Sequence, residues 1–231
     1  MTYRRDSLVL GAAVGVLGVS FGVLAEGAGL GVLKTCVLSL TVFTGASQFA
    51  AVGVADAGGS IGATLGPALL LAARNVAYGV AMAPIVGRSP LARRLVAAQL
   101  VVDETTAMAT AQRDPGARAG AFWFTGAAIY GFWNAGTLIG ALAGTSLGDP
   151  EALGIDAAFP AGFVALVAPH LRSAPGRVAG AVGAVTALGL VPFVAPGLPV
   201  VVAAAAVVPA RLFSESPRSG EAHEGDPVTP P

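Results

Sequence analysis

Apolar residues in this chain come in blocks of about twenty, and short stretches between the blocks hold most of the charges. A helix crossing a bilayer needs about 20 such residues at 1.5 Å each. On that rule the pattern predicts eight helical segments, at roughly 8–25, 33–55, 61–87, 95–112, 119–147, 154–172, 177–193 and 196–213. The last two form one apolar run cut by Pro192, Pro196, Gly197 and Pro199, which predicts a hairpin in place of a single long helix. From 214 to 231 the composition turns to Ser, Pro, Gly and acids, the pattern of a disordered polar tail. The expected fold is all-α: a polytopic membrane helix bundle forming one domain over 1–213, with about seven spans (six to eight).

The arginines bear on that count, because basic residues stay on the cytoplasmic side. Arg4 and Arg5 put the N-terminus inside. If all eight segments cross, the loops holding Arg113, Arg118, Arg172 and Arg177 and the tail with Arg211 are also inside. The acidic stretch with Asp149, Glu151 and Asp156 then faces out. Arg88, Arg93 and Arg94 break the rule by falling outside. If 33–55 and 95–112 dip in and return, every loop is satisfied with six full spans. An internal repeat offers another account. Phe43-Thr44-Gly45-Ala46 recurs as Phe124-Thr125-Gly126-Ala127, and Ala83-Pro84 with Arg88-Ser89-Pro90 recurs as Ala168-Pro169 with Arg172-Ser173 and Pro175. A repeat offset by three segments is inverted, as in many secondary transporters with broken helices. The N-terminus also resembles a signal peptide, but apolar segments continue to residue 213, so 8–25 reads as a first span.

Composition agrees with a membrane location. Hydrophobic residues make up 55% of the 231 and charged residues 11%, with a mean hydropathy of +0.75. A soluble domain carries about 25% charged residues. With 13 basic and 13 acidic groups the net charge is zero, and no basic stripe offers a nucleic-acid surface. Cys36 is alone, which excludes a disulfide frame and a multi-cysteine metal site. His170 lies at a segment end and His223 in the tail. Ser47 therefore has no histidine at membrane depth to activate it, and no His-Glu-x-x-His motif occurs. An enzyme is not expected, nor is a cofactor.

Glycines recur at helical spacing: Gly11 with Gly15, Gly18 with Gly22, Gly58 through Gly62 to Gly66, and Gly136 through Gly140 and Gly144 to Gly148. Such stripes let another backbone come close. They serve tight packing within the chain or reception of a partner's helices.

An ionisable group at membrane depth is costly and marks a candidate site. Asp103 and Glu104 lie near the middle of 95–112. Adjacent helix positions point about 100° apart, so one carboxylate is expected in a cavity and the other on a helix partner. Arg74, followed by Asn75 and by Tyr78 one turn on, lies midway along 61–87 and needs a carboxylate. Two readings stay open: a structural ion pair, or a site for a substrate's ammonium, its carboxylate or a proton. Gly45-Ala46-Ser47-Gln48 is expected to interrupt 33–55, with small residues and Thr44, Ser47 and Gln48 exposing backbone amides to a ligand; the other reading is an intact helix with a small packing face. Trp123 and Trp133 fit interfacial or packing roles, and Asn134 a tie between helices.

These islands carry a resemblance. Gly45-Ala46-Ser47-Gln48-Phe49, Arg74 with Tyr78-Gly79, Asp103-Glu104, Gly136-Thr137-x-x-Gly140 and Phe159-Pro160-Ala161 occur in an order that resembles the AzlC family of branched-chain amino acid permeases, over about residues 8 to 213. The family commonly has Asn-x-Arg-His where this chain has Ala72, Ala73, Arg74 and Asn75, and Thr where it has Val102. The resemblance implies the large subunit of a two-component exporter of leucine, isoleucine, valine and related amino acids such as methionine. It also implies a small AzlD-type membrane partner of about four spans. A zwitterion needs a cation or free amides for its carboxylate (Arg74, or the backbone near Gly45) and an anion for its ammonium (Asp103 or Glu104). The altered surroundings of Arg74 leave room for a different small solute, and a locked ion pair would leave a non-transporting subunit. Twelve arginines against one lysine, with abundant Ala and Gly, point to a GC-rich bacterial genome and so to a bacterial plasma membrane.

Overall fold

The computed structural model describes residues 2–87, 89–147, 164, 167–168, 170–195 and 197–206. Among these there is no strand. The helices are α1 (Thr2–Gly27), α2 (Gly31–Thr41), α3 (Gly45–Asp56), α4 (Ile61–Ala72), α5 (Arg74–Val86), α6 (Leu91–Leu100), α7 (Asp103–Thr110), α8 (Pro115–Leu147), α9 (Ala174–Leu190) and α10 (Leu198–Ala203). Short 3-10 turns occupy His170–Arg172 and Ala204–Ala206. The expected tail at 214–231 and most of segment 154–172 lie outside the described residues.

Local chemistry sets the helix ends. Both α1 and α3 stop at a glycine in left-handed conformation, Gly29 (φ 79°) and Gly58 (φ 78°). In each case the next amide reaches back five residues, Leu30 N to Ala25 O at 3.1 Å and Gly59 N to Val54 O at 2.9 Å. At the start of α8, the Asp114 carboxylate accepts from Ala117 N at 2.7 Å, with Pro115 in the first turn. Ser173 caps α9 through Gly176 N at 3.1 Å, and that helix ends two residues before Pro192.

The predicted segments divide differently from the sequence pattern. Tyr3–Gly27 and Ile61–Val86 are the described helices long and apolar enough, by length and composition, to cross a membrane. At 33 residues α8 is about 50 Å long. Its apolarity is diluted by Trp123, Tyr130, Trp133, Asn134 and recurrent glycine. Segment 61–87 is kinked at Ala73 into α4 and α5. Segments 33–55 and 95–112 are each broken into two short helices whose halves do not pack along one another. The Phe-Thr-Gly-Ala repeat also has no structural counterpart, since its first copy lies at a helix break and its second inside continuous α8.

The bundle is organised by α1 crossing α8, the most extensive helix pair. A side chain placed on Gly18 would lie 2.6 Å from the Trp133 carbonyl oxygen. One on Gly22 would meet the Thr137 carbonyl, one on Gly136 that of Gly15, and one on Gly140 that of Val19. The two glycine rows are thus dovetailed, backbone against backbone, and dispersion with weak Cα–H···O contacts holds them. Polar ties fix the register. The Ser7 and Thr125 hydroxyls share a hydrogen bond of 2.7 Å, and Ser39 of α2 donates to Asn134 Oδ1 of α8 at 2.7 Å. Among the described residues the third glycine row is nearly bare: Gly58 and Gly62 have nothing within 4 Å, and Gly66 meets Val201 at 3.4 Å. A core of Phe21, Phe122, Ile129 and Trp133 lies along the crossing, with Met82 and Leu100 joining from α5 and α6.

A methyl group at Gly140 has nowhere to go but the Val19 carbonyl, so Gly140→Ala should destabilise by about 1–3 kcal/mol through overpacking. Gly62→Ala faces open space and should leave stability unchanged or slightly raised. Thermal unfolding of the two variants in one detergent distinguishes these outcomes.

Candidate functional site

A helix broken among apolar neighbours exposes carbonyls at one stump and amides at the other, and each must find a partner. The first break, at 42–44, is served by side chains from three other helices. Gln48 Nε2 donates to Leu38 O at 3.0 Å, and Tyr130 donates to Leu40 O at 3.0 Å. Gln99 Nε2, on α6, donates to Leu40 O at 3.0 Å and Thr41 O at 3.1 Å. The second break, at 101–102, is closed by Thr105. Its hydroxyl donates to Leu100 O at 2.7 Å and accepts from Val102 N at 3.1 Å. Gln99 also ties the two breaks together, because it sits at the end of α6 and binds the end of α2.

The stumps that begin α3 and α7 open on one cavity of about 80 Å³, room for several water molecules. Its polar lining is Thr44, Gly45 and Ala46 from the first break, Arg74 and Asn75 from the kink, and Asp103 and Glu104 from the second break. Its apolar lining includes Val14 and Leu17 of α1, Phe43 and Phe49 beside the first break, and Ile129 and Trp133 of α8. The helix ends differ in charge. α7 carries Asp103 and Glu104 in its first turn, which offset the positive end of its dipole, whereas α3 has no acid there. The amides of Gly45 and Ala46 therefore leave an anion-attracting end on the cavity.

Arg74 Nη1 lies 3.6 Å from Asp103 Oδ2, and the two side chains are 36% and 33% exposed. A charge-assisted hydrogen bond of full strength is about 2.7–2.9 Å. This pair is looser, faces the cavity and contributes at most about 1 kcal/mol. The Arg74 Nε is buried without a partner, so part of the guanidinium's donor capacity is unspent. Among the described residues, no cluster of three or more His, Cys, Asp or Glu could hold a metal ion.

Of the residues singled out from sequence, Gly45, Arg74, Asn75, Asp103 and Glu104 meet at the cavity. Ser47, Gln48 and Tyr78 do not line it. Ser47 is buried and accepts from the Thr44 hydroxyl at 2.9 Å, Gln48 caps α2, and Tyr78 packs on the core. The expected interruption at Gly45–Gln48 is displaced: the non-helical residues are 42–44, and Gly45 through Gln48 form the first turn of α3. Asp103 and Glu104 were expected to part company, yet both line the cavity, because at a helix start no preceding turn screens one from the other. Thr44, named from sequence with Ser47 and Gln48, does line the cavity, whereas Gln99 and Thr105 were missed and Trp133, read as interfacial or packing, also forms part of the wall. Trp133 is only 4% exposed, and it lies midway along an apolar run, away from the interfacial ends where tryptophan usually sits.

The helical scaffold, the apolar spans and the polar cavity between broken helices define the class as a helical membrane protein. The AzlC protein family model matches residues 9–147, more than half of the chain. The chain belongs to the AzlC family and is thereby membrane transport-related. The match contains every residue lining the cavity and ends with α8. Neither the curated proteins nor the solved structures give a match to this chain.

Two stability outcomes follow from this geometry. Asp103→Asn should shift the unfolding free energy by no more than about 1 kcal/mol, since the pair it breaks is open to water. Thr105→Val should cost about 1–3 kcal/mol by stranding Leu100 O and Val102 N, with Thr105→Ser recovering most of it. Thermal melts of purified variants measure both.

Proposed function

We propose that the chain is a secondary permease that exports branched-chain amino acids, leucine, isoleucine and valine, and related ones such as methionine, across a bacterial plasma membrane. One observation carries the reading. Arg74, two carboxylates and the acid-free start of α3 share a half-open cavity whose remaining wall is apolar. That is the complement of a zwitterion with a hydrocarbon side chain. Arg74 and the Gly45 and Ala46 amides take the carboxylate. Asp103 and Glu104 take the ammonium or a carried proton. The breaks at 42–44 and 101–102 act as hinges that turn the cavity to each side in alternation, as discontinuous helices do in other carriers. The bundle crosses the membrane about seven times and works with a small AzlD-type membrane subunit. No Walker A pattern occurs in the chain, so a proton gradient or the membrane potential drives export.

A carrier for a different small solute is the second reading, favoured by Ala72 and Asn75 standing beside Arg74 where relatives have other residues. Leucine efflux from cells, with protein level held constant, tests the first. Asp103→Asn should lower it at least tenfold while the folded protein persists. Undiminished efflux removes Asp103 from the mechanism. Competition by a panel of amino acids against leucine separates the two solutes.

A further inference from the structure

We infer that Trp133 is the residue that sets which side chains the cavity accepts, acting as a rigid stop for the hydrocarbon end of the substrate. The inference rests on the permease reading above and adds the determinant of selectivity. Among the apolar residues lining the cavity, Trp133 presents the largest side chain, and other rings hold it on more than one side. Its ring stacks on Phe21 at 5.8 Å and 24°, and Phe49 meets it edge-on at 6.1 Å and 85°. Phe21 and Phe49 also touch each other, 5.5 Å apart at 87°, so the indole is one corner of a closed triangle of three rings. On another edge the ring abuts the start of α3. A Cβ added to Gly45 would lie 2.9 Å from Trp133 Cη2.

This last contact links the stop to the polar end. The amides at the start of α3 and the indole ring are neighbours across Gly45, which has no side chain to separate them. A carboxylate held on those amides therefore puts its own side chain within reach of the ring. Distance from anchor to wall, fixed by backbone on one side and stacked rings on the other, then measures side-chain length. On that inference a branched aliphatic side chain is accepted and a bulkier benzyl group is turned away. A rigid apolar wall discriminates by about 10–200-fold per methylene.

Two variants push the gauge in opposite directions. With the full chain and its partner subunit in proteoliposomes, Trp133→Leu should raise phenylalanine transport relative to leucine at least tenfold. Gly45→Ala, whose methyl presses on the ring, should move preference from leucine toward valine and alanine. Trp133→Phe serves in place of the leucine variant if that one fails to reach the membrane, with a smaller shift in the same direction. Selectivity ratios unchanged in variants that still carry leucine overturn the assignment while leaving the permease reading intact. No transport of any amino acid by the unaltered chain overturns both.

Discussion

A peptide group that loses its hydrogen bond in an apolar setting costs far more than one exposed to water, and this chain breaks its helices twice in such a setting. The rest of the site follows from how those costs are met. Gln48, Gln99 and Tyr130 are spent on the carbonyls of α2, and Thr105 on the second break. With the carbonyl ends thus occupied, the amide ends remain, and both face the cavity that Arg74 also enters. Polar side chains that look like ligand contacts in the sequence are in several cases the supports that let a ligand site exist. Gln48 is the plainest example.

The kink at Ala73 completes the arrangement by bringing Arg74 and Asn75 to the same place. Its guanidinium is balanced between attraction to Asp103 and access to water. An ion pair at hydrogen-bonding distance would hold both groups against any competitor. At 3.6 Å, with about a third of each side chain exposed, the pair can be exchanged for a ligand's charges at small cost.

How much of this was legible varied with the physics involved. The all-helical character and apolar segments were readable because lipid imposes a length and a composition. Arg74, Asp103 and Glu104 were readable because charge at depth is rare and expensive. The dovetailing of α1 with α8 was half readable, since Gly18, Gly22, Gly136 and Gly140 announce close approach without saying whose. The third row, Gly58 to Gly66, announces it equally and meets almost nothing among the described residues. The position of the first break was not readable. Gly45 and Ser47 look like breakers, but the chain opens at Val42, Phe43 and Thr44, where Gln48 and the distant Gln99 donate to the carbonyls at the end of α2. Such a decision rests on residues 58 or 59 positions apart and leaves no local mark. Trp133 was hidden for a similar reason, as its role comes from Phe21 and Phe49 closing behind it.

The α1–α8 crossing also constrains how the chain is made. During synthesis α1 emerges well before the row that receives it, around Gly136 and Gly140, which is more than a hundred residues later. Until the ribosome has delivered α8, the grooved face of α1 has no mate. Contacts this distant in sequence form late, because a long loop must close before they repay its entropy. The cavity, walled by both helices, is therefore complete only once α8 has joined α1.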